Sequence, residues 1–320
     1  MRAASSIPSP PGQTRVLAGP EPRAGRAPSG DFETLSPMPT GPGRQGRRRP
    51  LVVTSSGVIG LSILGLVVLA ALIGPLLWPR DPLEQAVEVR LQHPALAHPL
   101  GTDQFGRDIL ARVLAGARWS LAGALIVCTG TSLLGFTIGA IAASGTRLAD
   151  TILGRTIDAL MAVPGLVTAL AAVTVLGPSF PSLLGAMIFT SWPWYARTYR
   201  GIILKERSAG YVEGARAIGA GQGRVLFRHM VPNVIGPAIV IATANFGSII
   251  LNLAALSFLG LGMQPPTPEW GMMINEARLF FQRLPWQMVA PGLCIALTVL
   301  AVNLSGDALR DALDPRSHPR

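Results

Sequence analysis

The sequence predicts an all-α integral membrane protein with six transmembrane helices. Hydrophobic residues make up 49% of the 320 positions and charged residues only 14%, with a mean hydropathy of +0.42. This composition is too apolar for a soluble domain of the same size. Long uncharged stretches recur along the chain, and about 20 such residues cross a hydrocarbon core roughly 30 Å thick. The segments between the spans lie alternately on the two sides of the membrane, and the basic residues are concentrated in those on one side.

The first 50 residues differ in composition from the rest of the chain. They contain 10 Pro, 7 Gly and 8 Arg and few large apolar side chains, which predicts a disordered, basic cytoplasmic tail over residues 1–50. The first apolar run follows this tail and is long enough to remain as a span rather than to be removed as a signal peptide. The basic run before it fixes topology and could also contact anionic lipid; it comprises Arg44, Arg47, Arg48 and Arg49.

Six spans follow from the uncharged stretches. Residues 51–79 form the first transmembrane helix, residues 80–118 an extracytoplasmic loop, and residues 119–306 a core with five more helices, before a charged cytoplasmic tail over 307–320. Within the core, Trp119–Thr146 and Leu284–Gly306 each predict one span, and a third lies over roughly Val234–Phe258. In the tail, we expect Asp307, Arg310, Asp311 and Asp314 to form a charged helix end.

The remaining stretch, Ala159–Ala196, is 38 residues long and predicts two spans. Turn residues over Leu176–Pro181 separate them, and Pro164 favours a kink in the first. Their inner ends must extend to Arg155 and Asp158 on one side and to Arg197 and Arg200 on the other. Helix packing is indicated by Gly135-xxx-Gly139 in the span before them.

The sidedness follows from the basic residues. With a cytoplasmic amino terminus, 20 of the 27 Lys and Arg residues fall on inner segments, so both termini are expected in the cytoplasm. The basic charge therefore reports topology, and nucleic-acid binding is not expected because no soluble basic domain remains.

Ionisable groups are scarce within the predicted spans. An intramembrane enzyme or a secondary transporter would need such groups at depth. Arg155 and Asp158 stand near a span interior, and their spacing of three would let them pair. The cysteines, Cys128 and Cys294, fall inside spans as small apolar residues and indicate neither a disulfide framework nor a metal site. The energy source is therefore expected outside this chain.

The longest inner loop, residues 205–230, carries the most informative segment, "RSAGYVEGARAIGAGQGRVLFRHMVPN" from Arg207 to Asn233. It predicts a short helix in which Glu213 and Arg216 can pair, then a break over Gly219–Gly223, a second short basic helix, and a span that begins at Pro232. Small residues form a bare stripe on the first helix where a partner can approach, namely Gly210, Gly214, Ala217 and Gly221.

The run "EGARAIG", followed by His229-Met230-Val231-Pro232, resembles the EAA loop of binding-protein-dependent ABC importer permeases. The resemblance implies a cytoplasmic helix-turn-helix that couples to an ATP-binding subunit. Its coupling residues would be Glu213, Gly214, Ala215, Arg216 and Gly219. Gly214 stands where the family usually has Ala, which weakens the helix by up to about 1 kcal/mol.

Two other segments resemble the second, or "C", permease of the dipeptide, oligopeptide and nickel branch. One is "HPLGTDQFGRDILARVLAGARWSL" from His98 to Leu121, with the outer-loop signature Gly101, Thr102, Asp103, Gly106, Arg107 and Asp108. Here the charges can form a paired cluster around the two glycines. The other runs from Ala254 almost to the end, and its outer loop from Gly262 to Trp286, rich in Pro and aromatic residues, suits either an interfacial belt or the docking of a delivery protein.

The resemblance implies the type I ABC importer permease fold, in the cell membrane, with membrane lipid around it. The implied partners are a homologous B-type permease, two ATP-binding subunits and an extracytoplasmic substrate-binding protein. No G-x-x-x-x-G-K-[ST] loop occurs and Lys205 is the only lysine, so the chain is expected to be no enzyme and to hold no cofactor, with ATP and Mg in the partner subunits. A membrane scaffold or sensor that does not transport is the alternative of another class.

The implied cargo is a dipeptide or oligopeptide, with nickel chelates or glutathione as alternatives. The four histidines lie outside the predicted spans or at their inner ends, which does not suit a nickel site. Many relatives have an acidic residue before the "ALSFLGLG" stretch, where this chain has Asn252 and Leu253. Any role of that acid is therefore missing or moved here.

Overall fold

The computed structural model describes residues 55–143 and 147–313. The predicted N-terminal tail, its basic run and Asp314 lie outside the described residues. Helices dominate the rest, and the all-α fold class is confirmed. In chain order they are α1 (Ser55–Leu77), α2 (Ile109–Ala143), α3 (Arg147–Met161), α4 (Gly165–Leu176), α5 (Phe180–Arg207), α6 (Gly210–Ala217), α7 (Gln222–Arg224), α8 (Val231–Phe258), α9 (Trp270–Ala277) and α10 (Trp286–Leu313).

Four described helices are long and apolar enough to cross a membrane. They are α1, α2, α10 and the continuous helix Gln222–Phe258 that contains α7 and α8. The pair formed by α3 and α4 passes the same criterion together but is bent by 84°. The described residues therefore give four spans by length and composition, or five with the bent pair, and the predicted six is an approximate count. The 28-residue α5 is not among them.

The chain changes direction at the positions that the turn residues predicted. Helix α4 ends at Leu176, Gly177 adopts a φ of +88°, and α5 begins at Phe180. The Ser179 hydroxyl accepts a hydrogen bond from the backbone N–H of Ser182 at 3.3 Å and so caps α5. Pro164 stands immediately before α4 at the 84° bend, because proline cannot donate to the preceding helical turn.

The helices α2 and α5 pack closely at the predicted glycines. A Cβ atom at Gly135 would lie 2.5 Å from Tyr195 Cβ and 2.9 Å from the Ala196 backbone nitrogen, and one at Gly139 would lie 2.7 Å from the Ala196 carbonyl oxygen. Only glycine permits two helix backbones to approach this closely. The largest hydrophobic core cluster also draws on α2, α5 and α8 and includes Val127, Leu183 and Leu253, each 0% exposed.

Helix α2 begins at Ile109, well before the predicted span start at Trp119. The two arginines inside this extension are accommodated by polar partners. The Arg118 side chain donates to the carbonyl oxygens of Ala71 and Leu72, at 2.8 and 2.9 Å, near the end of α1. Arg112 pairs with a carboxylate described below. The added turns place α2 across the end of the bundle that carries residues 78–108 and 259–285, which we call the loop end; the opposite end is the α6 end.

Candidate functional site

The segment from α6 to α8 is built on a small hydrophobic cluster at the α6 end. Val212 and Ala215, one turn apart on α6, are 0% and 8% exposed and pack against Ile203 of α5 and Met230. This contact fixes one face of α6 against the rest of the chain. Ala215, one of the five predicted coupling residues, therefore lies on the inward face and holds α6 in place.

The turn after α6 is set by Gly219. The Gly219 N–H donates to the Arg216 carbonyl at 2.9 Å, and the Ala220 N–H donates to the Ala215 carbonyl at 3.1 Å. This is the Schellman arrangement, which needs a residue with positive φ, and Gly219 has a φ of +86°. The predicted break in the helix is confirmed. Gly219 contributes by letting the backbone turn with a positive φ, rather than by offering an exposed side-chain contact.

The outward face of α6 is open. The side chains of Glu213 and Arg216 are exposed, and a Cβ atom added at Gly210 or Gly214 would meet no atom within 4 Å. Ile218 is 87% exposed beside this face. Three of the predicted coupling residues, Glu213, Gly214 and Arg216, thus lie on this open face, while Gly219 shapes the turn after it.

Pro232 lies at the start of α8, as predicted, but the short helical segment before it is continuous with α8 rather than separate. Residues from Gln222 to Phe258 form one helix of 37 residues. Val225–Met230 is wound as a π-helix, and Pro232 lies just after it inside the same helix. The wider turns give the proline ring room where an α-helical turn would clash. Consequently the basic segment after Gly219 is directly continuous with a span. Phe227 in this segment is 71% exposed.

At the loop end, the predicted signature residues form a compact cluster. Arg107 Nε donates to Asp103 Oδ2 at 2.6 Å, as the sequence suggested. Asp103 also accepts from the backbone N–H of Arg107 and of Phe105. Gly101 and Gly106 both have positive φ, and a Cβ atom at Gly106 would lie 1.8 Å from the Ala86 carbonyl oxygen. The Thr102 hydroxyl donates to the Val89 carbonyl.

Asp108 acts separately from Asp103 and Arg107. Its Oδ2 lies 2.8 Å from His98 Nδ1, and its Oδ1 accepts from the Trp78 indole at 3.2 Å and from the Ala111 N–H at 2.8 Å. The last contact satisfies a free donor in the first turn of α2. Asp108 therefore joins α2 to the end of the first span and to the intervening loop.

Sequence reasoning missed the residues that complete this cluster. Arg112, 2% exposed, donates to Glu276 Oε2 at 2.6 Å, and Arg107 donates to Glu276 Oε1 at 3.1 Å. Glu269, 0% exposed, accepts from the Ser120 hydroxyl at 2.9 Å and from the N–H groups of Gly271 and Met272. The signal available was that these are the only two acidic residues between Ala254 and Trp286.

The outer aromatic loop is only partly a surface. Trp270, which was assigned to an interfacial belt or a docking face, is 1% exposed, and its indole donates to the Val113 carbonyl at 3.0 Å. Phe281 is 50% exposed and Leu279 is 81% exposed. The parts of this loop that can meet a membrane or a protein are therefore residues 264–266, before α9, and residues 278–283, after it.

Helices α3 and α5 are joined by two ion pairs. Asp158 pairs with Arg197 at 3.2 Å, so the expected pairing with Arg155 on its own helix is wrong. Arg200 Nε donates to Asp150 Oδ1 at 2.8 Å. The guanidinium groups on α5 reach the carboxylates of α3 better than an arginine one turn away on α3 itself. These contacts hold the amphipathic α3 across α5.

Two grooves run along opposite sides of α8. One is an apolar cavity of about 630 Å³ between α1, α2, α8 and α10, and Leu125, Phe136 and Ile239 are among its lining residues. The other contains polar side chains and consists of adjoining cavities of about 370 and 510 Å³, which share Trp194 and Asn245. We call the second the polar groove.

Two protein families match parts of this chain. Residues 135–318 match the family described as binding-protein-dependent transport system inner membrane component, and residues 50–94 match the N-terminal transmembrane domain of oligopeptide transport permease C.

Three curated relatives are each 42% identical to the chain. The dipeptide transport system permease protein DppC of Alkalihalophilus pseudofirmus aligns over 259 residues, 81% of this chain and 85% of its own length. The di/tripeptide permease DppC of Pseudomonas aeruginosa covers 80% and 87%, and the dipeptide permease DppC of Escherichia coli K12 covers 81% and 88%.

Proposed function

The chain belongs to the family of binding-protein-dependent transport system inner membrane components, and from this we propose that it is a membrane-spanning permease subunit of an ATP-driven importer of dipeptides or oligopeptides. The observation that carries the proposal is the 42% identity to dipeptide and di/tripeptide permeases over about four fifths of the chain. The family match over residues 135–318 extends from within α2 to beyond the end of α10.

The α6 end faces the cytoplasm in this proposal. Twenty of the 27 basic residues belong to segments on that side, and basic residues in short loops favour the cytoplasmic face. Both termini then lie in the cytoplasm, and the loop end with the cluster around Arg107 faces outward. The protein is a multi-pass component of the cell membrane surrounded by lipid.

The outward face of α6 and the start of α7 is the proposed docking surface for an ATP-binding subunit. Two large apolar side chains are exposed close to it in the chain: Ile218, directly after α6, by 87%, and Phe227, in the π-helical segment after α7, by 71%. In a water-facing segment such side chains favour a partner that covers them. Gly210 and Gly214 leave the α6 backbone accessible between Glu213 and Arg216, so a groove on the partner can approach closely.

The proposed assembly has three kinds of protein partner. A homologous B-type permease supplies the other half of the path, two ATP-binding subunits hydrolyse ATP with Mg, and an extracytoplasmic binding protein delivers the cargo at the loop end. The chain itself has no phosphate-loop motif and holds no cofactor in this scheme. Its work is to convert movement at the α6 surface into opening and closing of the path.

The proposal is tested by ATPase measurements on the purified complex reconstituted in lipid. Loaded binding protein should stimulate ATP hydrolysis, and labelled dipeptide should accumulate inside the vesicles. A complex without the binding protein is the control for basal hydrolysis. Hydrolysis that ignores the loaded binding protein, together with no uptake, would favour a scaffold or sensor. Uptake of a nickel chelate or glutathione in place of dipeptide would retain the importer and replace its cargo.

A further inference from the structure

The polar groove is lined by one face of α8. Asn245, Ser248 and Asn252 follow one another at spacings of three and four, which places them on the same side of a helix. Thr190 and Ser191 of α5 face the same cavity. Ser248 and Asn252 are exposed, and within the described part of the chain the Asn252 amide makes no hydrogen bond. Ser248 and Asn252 are therefore free to bind something outside the chain, whereas Asn245 Nδ2 already donates to the Ile241 carbonyl oxygen at 2.9 Å and offers its amide oxygen.

Asn245 and Ser248 lie at membrane depth, and Asn252 lies further along α8, towards the loop end of the same span. Asn245 is 14 residues beyond the start of α8 at Val231, which is about 21 Å along the helix. Because a hydrocarbon core is about 30 Å thick, this position is well inside the span. An amide or hydroxyl that faces hydrocarbon without a partner costs roughly 2 kcal/mol or more. The polar groove is thus better filled by water or a polar ligand than by lipid.

The break between α3 and α4 supports the same conclusion independently. Met161, Pro164 and Gly165 line the polar groove at the point where the helix bends by 84°. Non-helical backbone at membrane depth is stable only where it is buried in protein or faces a water-filled cavity. Pro164 is exposed, and so the bend fits a cavity that contains water.

The chemistry of the groove changes along its length. At the membrane level its polar groups are uncharged amides and hydroxyls. Asp307 and Arg310 of α10 line its α6 end. Uncharged amides and hydroxyls can donate to and accept from a peptide backbone without selecting the charge of its side chains.

Resting on the function proposed above, we propose that the polar groove is this chain's half of the translocation path, and that Asn245, Ser248 and Asn252 bind the main chain of the peptide in transit. The apolar cavity on the opposite side of α8 is then outside the path. Main-chain recognition allows one groove to pass dipeptides with acidic, basic or apolar side chains, while their terminal charges meet Asp307 and Arg310 near the exit.

The placement is tested by cysteine accessibility in the complete complex. In a background with Cys128→Ala and Cys294→Ala, single cysteines are introduced as Ser248→Cys or Asn252→Cys. The matched control is Ile239→Cys, because Ile239 lies on the same helix, is 50% exposed and lines the apolar cavity. A charged, membrane-impermeant methanethiosulfonate should modify the first two at least about tenfold faster, since a thiolate forms only in contact with water. Equal or inverted rates would overturn the placement.

The recognition mode is tested by uptake. Asn252→Leu should lower uptake by about tenfold for each of three dipeptides, Ala-Ala, Lys-Ala and Glu-Ala, since each would lose the same main-chain hydrogen bond. Asn252→Ser should restore part of the loss. A reduction confined to one of the charged dipeptides would overturn main-chain recognition.

Failure of the proposed function gives a different pattern. Thiol modification requires no transport, so it locates the water-filled groove even in a complex that takes up no peptide. Suppose that the cysteine-free background shows normal uptake, with fast modification at position 239 and none at 252. This result would support the importer function and contradict the placement of the translocation path in the polar groove. Modification at 252 in a complex that takes up no dipeptide would overturn the peptide as ligand.

Discussion

Arg107 and Glu276 are 169 residues apart in the sequence, and their side chains form an ion pair at 3.1 Å at the loop end of the bundle. Arg107 is 1% exposed, and the same guanidinium also bonds Asp103. Arg112 pairs with the other oxygen of Glu276. Two arginines and two carboxylates thus tie the loop before α2 to α9.

Replacing Arg107 by Met should destabilise this end of the protein. The carboxylates of Asp103 and Glu276 would keep only Arg112 as a cationic partner, and breaking a buried pair costs about 3–5 kcal/mol. We expect a lower melting temperature of the purified complex, measured by thermal unfolding in detergent. Arg283→Met, at an exposed arginine in the same region, is the control and should leave the melting temperature unchanged. Equal melting temperatures for both variants would show that the cluster is not stabilising.

Substitutions at two glycines of the α6 segment should have opposite effects. Gly219→Ala places a Cβ on a residue with φ +86° and should cost about 1–2 kcal/mol, although no atom blocks the space. Gly214→Ala adds a helix-favouring residue inside α6 and should stabilise it by up to about 1 kcal/mol. The two substitutions are compared by measuring the uptake and the thermal stability of a complex that carries either one. Gly219→Pro cannot reach the required φ and should abolish uptake while the complex still reaches the membrane.

Glu213→Arg should abolish uptake without loss of the protein. The Glu213 side chain is exposed at the proposed docking surface, so its replacement changes the charge offered to a partner and leaves the buried face of α6 intact. Measured in membranes, the variant should be present at normal amounts, whereas binding of the ATP-binding subunits should be weakened. Glu213→Gln, which keeps the shape, should retain more uptake. Normal uptake by Glu213→Arg would remove this residue from the docking surface.

Gly135→Val should prevent α2 and α5 from packing. Its side chain would collide with Tyr195 Cβ and with the Ala196 backbone, neither of which can move aside alone. Gly130→Ala is the matched control on the same helix, because a Cβ there would approach only the end of the flexible Ile188 side chain, at 2.7 Å. The yield of assembled complex after gel filtration should fall sharply for the first and little for the second. Similar yields would contradict a tight α2 to α5 contact.

Local signals in the sequence predicted the turns well. The proline and glycine residues around Gly177 marked the end of α4, and Gly219 marked the end of α6, because positive φ is a property that one residue type supplies. The paired glycines of α2 indicated close packing for the same reason. Each of these features is decided by residues within a few positions of one another.

Features decided by distant residues were not predicted. Arg112 and Arg118 lie inside α2, although the span predicted from uncharged residues begins only after them. Their partners are Glu276 and the carbonyl groups near the end of α1. Pro232 was taken as a helix start, but the π-helical turns before it allow the helix to continue. The lining of the polar groove depends on how α5 and α8 face each other, which no single segment specifies.

The continuity from Gln222 to Phe258 gives the protein a mechanical lever. Thirty-seven helical residues make a rod about 55 Å long. The Gln222 end of this helix lies at the proposed docking surface for the ATP-binding subunit. At the other end, the Phe258 carbonyl accepts a hydrogen bond from the Asn275 side chain. A tilt of about 5° around the Gln222 end would displace the Phe258 end by about 5 Å and Asn245 by roughly two thirds as much. A small rotation at α7 therefore suffices to change the width of a groove that lies deep in the membrane.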